Sequence, residues 1–218
     1  RMPGARHCQL AELAAIAGMC ADVCISAENR FSLRIRTENL PVARKCFTLL
    51  QKTFNISSDV CVCLHKNDER STRIYTVWVR DHHETVRVLQ GLKLLNEEGE
   101  VAEHVAPANS LLVQKSCCRR AFVRGAFLSA GSISNPLKSY HFEIVCSTQE
   151  KAEQIQQVIA SFDIDAKIVV RKKSYVVYIK EGAQIVEILG IMEAGLALMN
   201  LENIRILKEM RNSVNRKV

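Results

Sequence analysis

Two periods of apolar and polar residues run along this chain, and their order occurs twice. A nearly all-apolar helical run from Cys8 to Cys20, charged only at Glu12, predicts a helix buried on most sides. Phe31, Leu33 and Ile35 then alternate with Ser32, Arg34 and Arg36, the pattern of a half-exposed strand. Asn39 is placed to cap a helix with Pro41 in its first turn and Ala43, Phe47, Leu50 and Phe54 on its apolar side. Val60 to His65 and Arg73 to Arg80 read as strands around the polar turn from Asn67 to Ser71. Asp81 with Glu84 makes a capping-box-like start for a helix through Val86, Leu89 and Leu92.

The second half has the same order. Ser116 to Ala130 is a predicted helix, Gly131 to Pro136 a turn, and Tyr140 to Cys146 a strand with Phe142, Ile144 and Cys146 on one face. Ser147 with Glu150 reads as a capping box for a helix that turns Ala152, Ile155, Ile159 and Phe162 inward. Ala166 to Arg171 and Ser174 to Lys180 form a hairpin, and a helix through Ile185, Ile188 and Ile191 closes the unit. Ala43 and Leu50 map onto Ala152 and Ile159 at an offset of 109, and Val86, Leu89 and Leu92 onto Ile185, Ile188 and Ile191 at 99. The loss falls largely in the hairpin turn, where duplicated units tolerate length changes. The expected fold class is α/β (α+β), with two pseudo-symmetric αββαββα repeats. Expected boundaries are 1–96 for the first repeat, 97–115 for an acidic linker, 116–195 for the second repeat and 196–218 for a closing helix and linker.

The opening helices carry small residues at equivalent places, Ala11 and Ala15 in the first and Ala121 and Gly125 in the second. Such a stripe lets two backbones approach closely. Glycine costs about 1 kcal/mol inside a helix, so Gly125 needs a reason to be there. The two helices are therefore expected to pack on each other about a pseudo-two-fold axis.

Composition narrows the function. Apolar residues make up 48% and charged residues 24%, a globular balance that excludes a disordered chain. No run approaches the ~20 apolar residues of a membrane span, and Arg1 to His7 lack the pattern of a secretory signal. The net charge is +7, carried by basic blocks on either side of the acidic 91–110 segment and by a basic tail. That excess permits phosphate binding without requiring it. Nine cysteines include Cys61 and Cys63 as CxC and the adjacent Cys117 and Cys118, but no CxxC and no paired Cys/His spacing of a zinc site. They read as reduced thiols acting as small hydrophobes in the cytoplasm. His82, His83 and Glu84 read as a polar helix cap, because adjacent histidines there point apart. Trp78, Tyr75, Tyr175 and Tyr178 are strand aromatics, half of each pair facing the core. No nucleotide loop or Ser/His/Asp set occurs.

Val123-Arg124-Gly125-Ala126-Phe127-Leu128-Ser129-Ala130-Gly131 lies over the LAGLIDADG homing-endonuclease motif, and the run from Leu13 to Ala21 lies over it more loosely. More closely still, Arg119 to Leu128 followed by Gly131-Ser132 and Tyr140-His141-Phe142-Glu143 resembles the WhiA family, as does Leu33 to Asn39 leading into Ala43-Arg44. The resemblance covers essentially the whole chain. It implies a LAGLIDADG homing-endonuclease-like fold with antiparallel, saddle-shaped sheets, followed in the family by a helix-turn-helix domain. No such second domain is visible before Val218, so the chain is expected to be a fragment cut at the interdomain linker.

In active LAGLIDADG nucleases the last acid of each motif holds divalent metal, because two-metal phosphodiester cleavage needs hard oxygen ligands. The matching positions here are Cys20 and Ala130, which are poor or absent ligands for magnesium. The expectation is no enzyme activity, no cofactor and no metal. What the resemblance leaves is double-stranded DNA as partner, in a bacterial regulator of transcription, cell division, chromosome segregation and sporulation. Further expected partners are the helix-turn-helix domain in cis and other transcription regulators. The expected location is the cytoplasm, at the nucleoid and not a membrane. The candidate DNA-contacting residues are Arg34, Arg36, Lys66, Arg73, Lys138, Arg171, Lys172, Lys173 and Lys180. Arg119, Arg120 and Arg124 are ambiguous, since they can pair with acids or cap carbonyls instead. The alternatives are a protein-interaction scaffold without intrinsic DNA binding and a metal-dependent endonuclease.

Overall fold

A computed structural model describes residues 2–67, 70–95 and 108–215. Of the expected linker, residues 97–107 lie outside the described residues, and 108–115 are described. The chain divides into two compact units, Arg1–Ser129 and Ala130–Val218.

The first unit opens with α1 (Arg6–Cys20), whose Ala11, Leu13, Ile16 and Ala17 are fully buried. Strands β1 (Ala21–Ile25) and β2 (Phe31–Thr37) follow, then α2 (Leu40–Phe54), β3 (Asp59–Asn67), β4 (Arg70–Val79) and α3 (His82–Gly91). The sheet is antiparallel in the order β1-β2-β4-β3. Leu33 and Ile35 of β2 pair in register with Val79 and Val77 of β4, and all four are buried on the helix side. Alternation turns Arg34, Arg36, Thr76 and Trp78 to the other face. Helix α2 buries Val42, Ala43, Cys46, Leu49 and Leu50, while Phe47 is only half-buried. Asn39 precedes α2 without a side-chain cap, its backbone N–H donating instead to Thr37 Oγ1 at 3.1 Å. Asp81 does cap α3, accepting from the Glu84 N–H at 2.9 Å. A short 3₁₀ turn (Ser110–Val113) leads to α4 (Ser116–Ala130), most of which packs in this first unit.

The second unit repeats the plan. It holds β5 (Gly131–Ile133), β6 (Phe142–Cys146), α5 (Gln149–Ala160), β7 (Lys167–Arg171), β8 (Ser174–Ile179), α6 (Gly182–Ile191) and α7 (Gly195–Asn215). Its sheet order, β5-β6-β8-β7, is that of the first. Phe142, Ile144 and Cys146 are fully buried on the helix side with Val177 and Ile179. The cap of α5 is Thr148 rather than Ser147: its Oγ1 accepts from the Lys151 N–H, while Ser147 Oγ faces Lys151 Nζ. Lys172 adopts a left-handed φ of 55°, which closes the β7–β8 hairpin in two residues. No described helix is long and apolar enough to cross a membrane.

Candidate nucleic-acid interface

Within the first unit α1 and α4 meet along their small residues. Ala11, Ala121, Cys8 and Cys118 form one buried cluster, and Ala15 is buried beside Gly125. A Cβ on Gly125 would lie 2.5 Å from the Glu12 carbonyl oxygen and 3.0 Å from Ala15 Cβ. This close approach explains glycine inside a helix. Glu12 is fully buried, and Arg124 answers it with two hydrogen bonds of 3.0 Å, Nε to Oε1 and Nη2 to Oε2. Lys45 of α2 adds a third contact at 2.5 Å. Arg124 thus pairs with an acid, and Arg119 donates to the Gln114 carbonyl at 3.3 Å.

Cys20 ends α1, and its thiol donates to the Ile16 carbonyl at 3.1 Å. Burial pushes its pKa up to about 11, so it stays a neutral thiol. Ala130 ends α4 with no ligand atom at all. These two residues do not fit the hard divalent ion that the nuclease fold would hold. The neighbouring acid Asp22 is ion-paired to Arg36.

On the first sheet, Arg34 lies 4.4 Å and Arg80 3.9 Å from the centroid of the Trp78 ring. Arg80 also pairs with Asp59 at 2.7 Å. Arg34, Arg36 and Trp78 share the face turned away from the helices. Arg73 does not: it pairs in register with Leu64 and lies on the side of Val77 and Val79, exposed. The backbone of Lys66 belongs to β3, and its side chain lies outside the described residues.

On the second sheet, Glu143 sits on the equivalent face. It takes hydrogen bonds from His141 at 2.9 Å, Ser132 at 3.1 Å and Arg171 at 3.2 Å. The His141 hydrogen bond, with Ser132 and the Arg171 charge, holds its carboxyl below the usual range. Lys180 lies 5.2 Å from the Tyr178 ring centroid. Lys172 and Lys173 project from the β7–β8 turn and Lys138 from the β5–β6 loop, all exposed. None of these three has a carboxylate partner among the described residues. Sequence reasoning missed Asp22, Asp59 and Glu143, the acids that share these faces with the arginines, because cross-strand register decides which charges meet.

It also missed a cluster at the other end of the helix pair. His7 and Cys8 in the first turn of α1 converge with Cys117 and Cys118 in the first turn of α4. His7 and Cys117 are exposed, while Cys8 and Cys118 are buried. Burial above all pushes the Cys8 thiol up to about 12, whereas hydrogen bonding from Cys8 lowers that of Cys117.

The fold is shared with solved structures. The full-length DUF199/WhiA protein from Thermatoga maritima superposes with a TM-score of 0.67 at 18% identity, over 99% of this chain and 69% of that one. The homing endonuclease I-DmoI in complex with DNA and Mn gives 0.58 at 15% identity, over 86% and 97%. The architecture is thus that of the LAGLIDADG proteins. Family models for the WhiA N-terminal LAGLIDADG-like domain and the WhiA LAGLIDADG-like domain match residues 6–95 and 119–211. The "Probable cell division protein WhiA" of Lachnoclostridium phytofermentans is 49% identical over 218 residues, covering all of this chain and 69% of the relative. That of Alkaliphilus oremlandii is 42% identical over 213 residues, covering 97% and 66%. This chain belongs to the WhiA family, and it spans about two thirds of the length of those relatives.

Proposed function

We propose that this chain is the non-catalytic, DNA-binding part of a WhiA-type regulator, acting at the nucleoid in transcription control linked to cell division, chromosome segregation and sporulation. The division 1–96, 97–115, 116–195 and 196–218, leading to a helix-turn-helix domain, belongs to the same reading. The observation that carries it is the pair of four-stranded sheets, each with cations on the face turned away from its helices: Arg34, Arg36 and Arg80 on one, Lys167, Arg171 and Lys180 on the other. The names of the relatives point to cell division, and a protein of the same fold is known bound to DNA. Cys20 and Ala130 support a binding role without cleavage, because neither supplies a carboxylate.

The test is binding to duplex DNA across a salt series. Phosphate neutralisation gives a linear fall of log K with log salt, with a slope of about −0.9 per contact. Replacing Lys172 and Lys173 by alanine should flatten that slope by roughly 2 and weaken binding alike on all sequences. Undetectable binding at low salt favours a scaffold that docks protein. The exposed apolar side chains Leu196, Met199 and Leu207 on α7 are the feature that would serve that second reading. Nicking of supercoiled plasmid with Mg²⁺ or Mn²⁺ that follows the protein through purification would overturn the non-catalytic assignment.

A further inference from the structure

We propose that His7, Cys8, Cys117 and Cys118 form a tetrahedral site for a soft divalent cation, zinc above all, that clamps the N-terminal ends of α1 and α4 together. The four candidate ligand atoms, one imidazole nitrogen and three sulfurs, all lie within 4.8 Å of one another. His7 Nδ1 is 3.2 Å from Cys118 Sγ, 3.3 Å from Cys8 Sγ and 3.9 Å from Cys117 Sγ. In a regular Cys₃His zinc site the bond lengths place neighbouring ligand atoms about 3.5–3.8 Å apart. The three nitrogen–sulfur distances straddle that span, and no two of the four ligand atoms are more than 4.8 Å apart.

The ligand chemistry selects the metal. Three thiolates and an imidazole suit zinc and other soft or borderline ions and are poor for magnesium. A Cys₃His site with Zn²⁺ carries one net negative charge, and it sits in the first turn of two helices, where unpaired N–H groups carry partial positive charge. The sequence geometry is equally specific. Helices α1 and α4 are both 15 residues long and start 110 residues apart, so His7 corresponds to Cys117 and Cys8 to Cys118. A repeat that pairs these helices through Ala11, Ala15, Ala121 and Gly125 also brings their first turns together.

Packing explains only half of the cluster. Cys8 and Cys118 lie with Ala11 and Ala121 as small hydrophobes do, but His7 and Cys117 are exposed and contribute nothing to that core. Nor is this the metal position of the nuclease fold. Cys20 lies twelve residues along α1 from Cys8, about 18 Å at the helical rise.

The test uses the 218-residue chain purified under reducing, anaerobic conditions. Elemental analysis after zinc loading and desalting should give one zinc per chain. Cobalt in its place should give thiolate-to-metal charge transfer and the intense visible bands of a tetrahedral site. Zinc in thousandfold excess over its Kd should raise the unfolding temperature by roughly 10 °C, reversibly with a chelator. Cys117→Ser and His7→Ala alter exposed side chains, so the apo forms should melt with the wild type while losing at least about tenfold in zinc affinity. A wild-type chain that binds well under one equivalent after desalting, or that shows octahedral cobalt spectra, overturns the proposal. So does zinc affinity unchanged in both variants.

Discussion

The carboxylate of Glu12 and the guanidinium of Arg124 meet as a two-pronged pair inside the helix seam, both contacts at 3.0 Å and the acid without solvent exposure. Lys45 reaches the same carboxylate, so one buried anion is shared by two cations. Removing one partner of a buried pair leaves a charge with no water to replace it. Arg124→Ala should cost about 3 kcal/mol in urea unfolding, less than complete isolation of Glu12 because Lys45 remains. Glu12→Leu combined with Arg124→Met should cost much less than the sum of the single changes, and a double-mutant cycle measures that coupling.

Gly125 and Gly18 make a matched pair of tests. A methyl at Gly125 would press on the Glu12 carbonyl, whereas at Gly18 it would meet nothing within 4 Å. Gly18→Ala should therefore stabilise the chain by up to about 1 kcal/mol through helix propensity. Gly125→Ala gains the same propensity but forces the helices apart, for a net loss of roughly 1–3 kcal/mol. Denaturant midpoints of the two variants should move in opposite directions.

If the sheet faces bind DNA, their acids restrain their arginines. Asp22 holds Arg36 on the first sheet, and Glu143 holds Arg171 on the second. Exposed ion pairs are worth about 0.2–1 kcal/mol, so a phosphate can displace the acid at modest cost. Asp22→Asn should tighten duplex binding roughly two- to fivefold, and Arg36→Ala should weaken it, both measured at low salt.

Acid should loosen the second sheet through Glu143. Its carboxyl titrates below the usual 4.5 because His141, Ser132 and Arg171 hold the charged form. A lowered folded pKa contributes stability that is fully present above 4.5 and is lost as pH falls through the folded value. Glu143→Gln should therefore flatten the fall of unfolding free energy below about pH 4.5. Urea titrations across that range check it.

Much of the fold is legible from local pattern. Leu33 and Ile35 alternate cleanly with polar neighbours, Phe142 and Ile144 do so except at Val145, and both copies give the same sheet order. The site is less legible, for geometric reasons. Alternation places Arg34 and Arg36 on one face but cannot say that Asp22 lies across from them, because that depends on β1–β2 register. Arg73 is a different case, since alternation along β4 by itself puts it on the helix side with Val77 and Val79, beside Leu64. His7-Cys8 and Cys117-Cys118 carry no metal-ligand spacing along the chain, since each pair supplies half of a set completed 110 residues away. Capping at Thr148 in place of Ser147 is a one-residue shift between two equally suitable hydroxyls.

The helix that begins the second copy along the chain completes the interior of the first compact unit. A gene fragment ending near residue 96 would keep every strand of the first sheet yet lack Ala121, Gly125 and Arg124, leaving a greasy stripe on α1 with an acid at its middle. Such a product should aggregate or melt early. One extended through Ser129 carries its missing wall with it, and the minimal foldable piece is therefore longer than a single copy of the duplication.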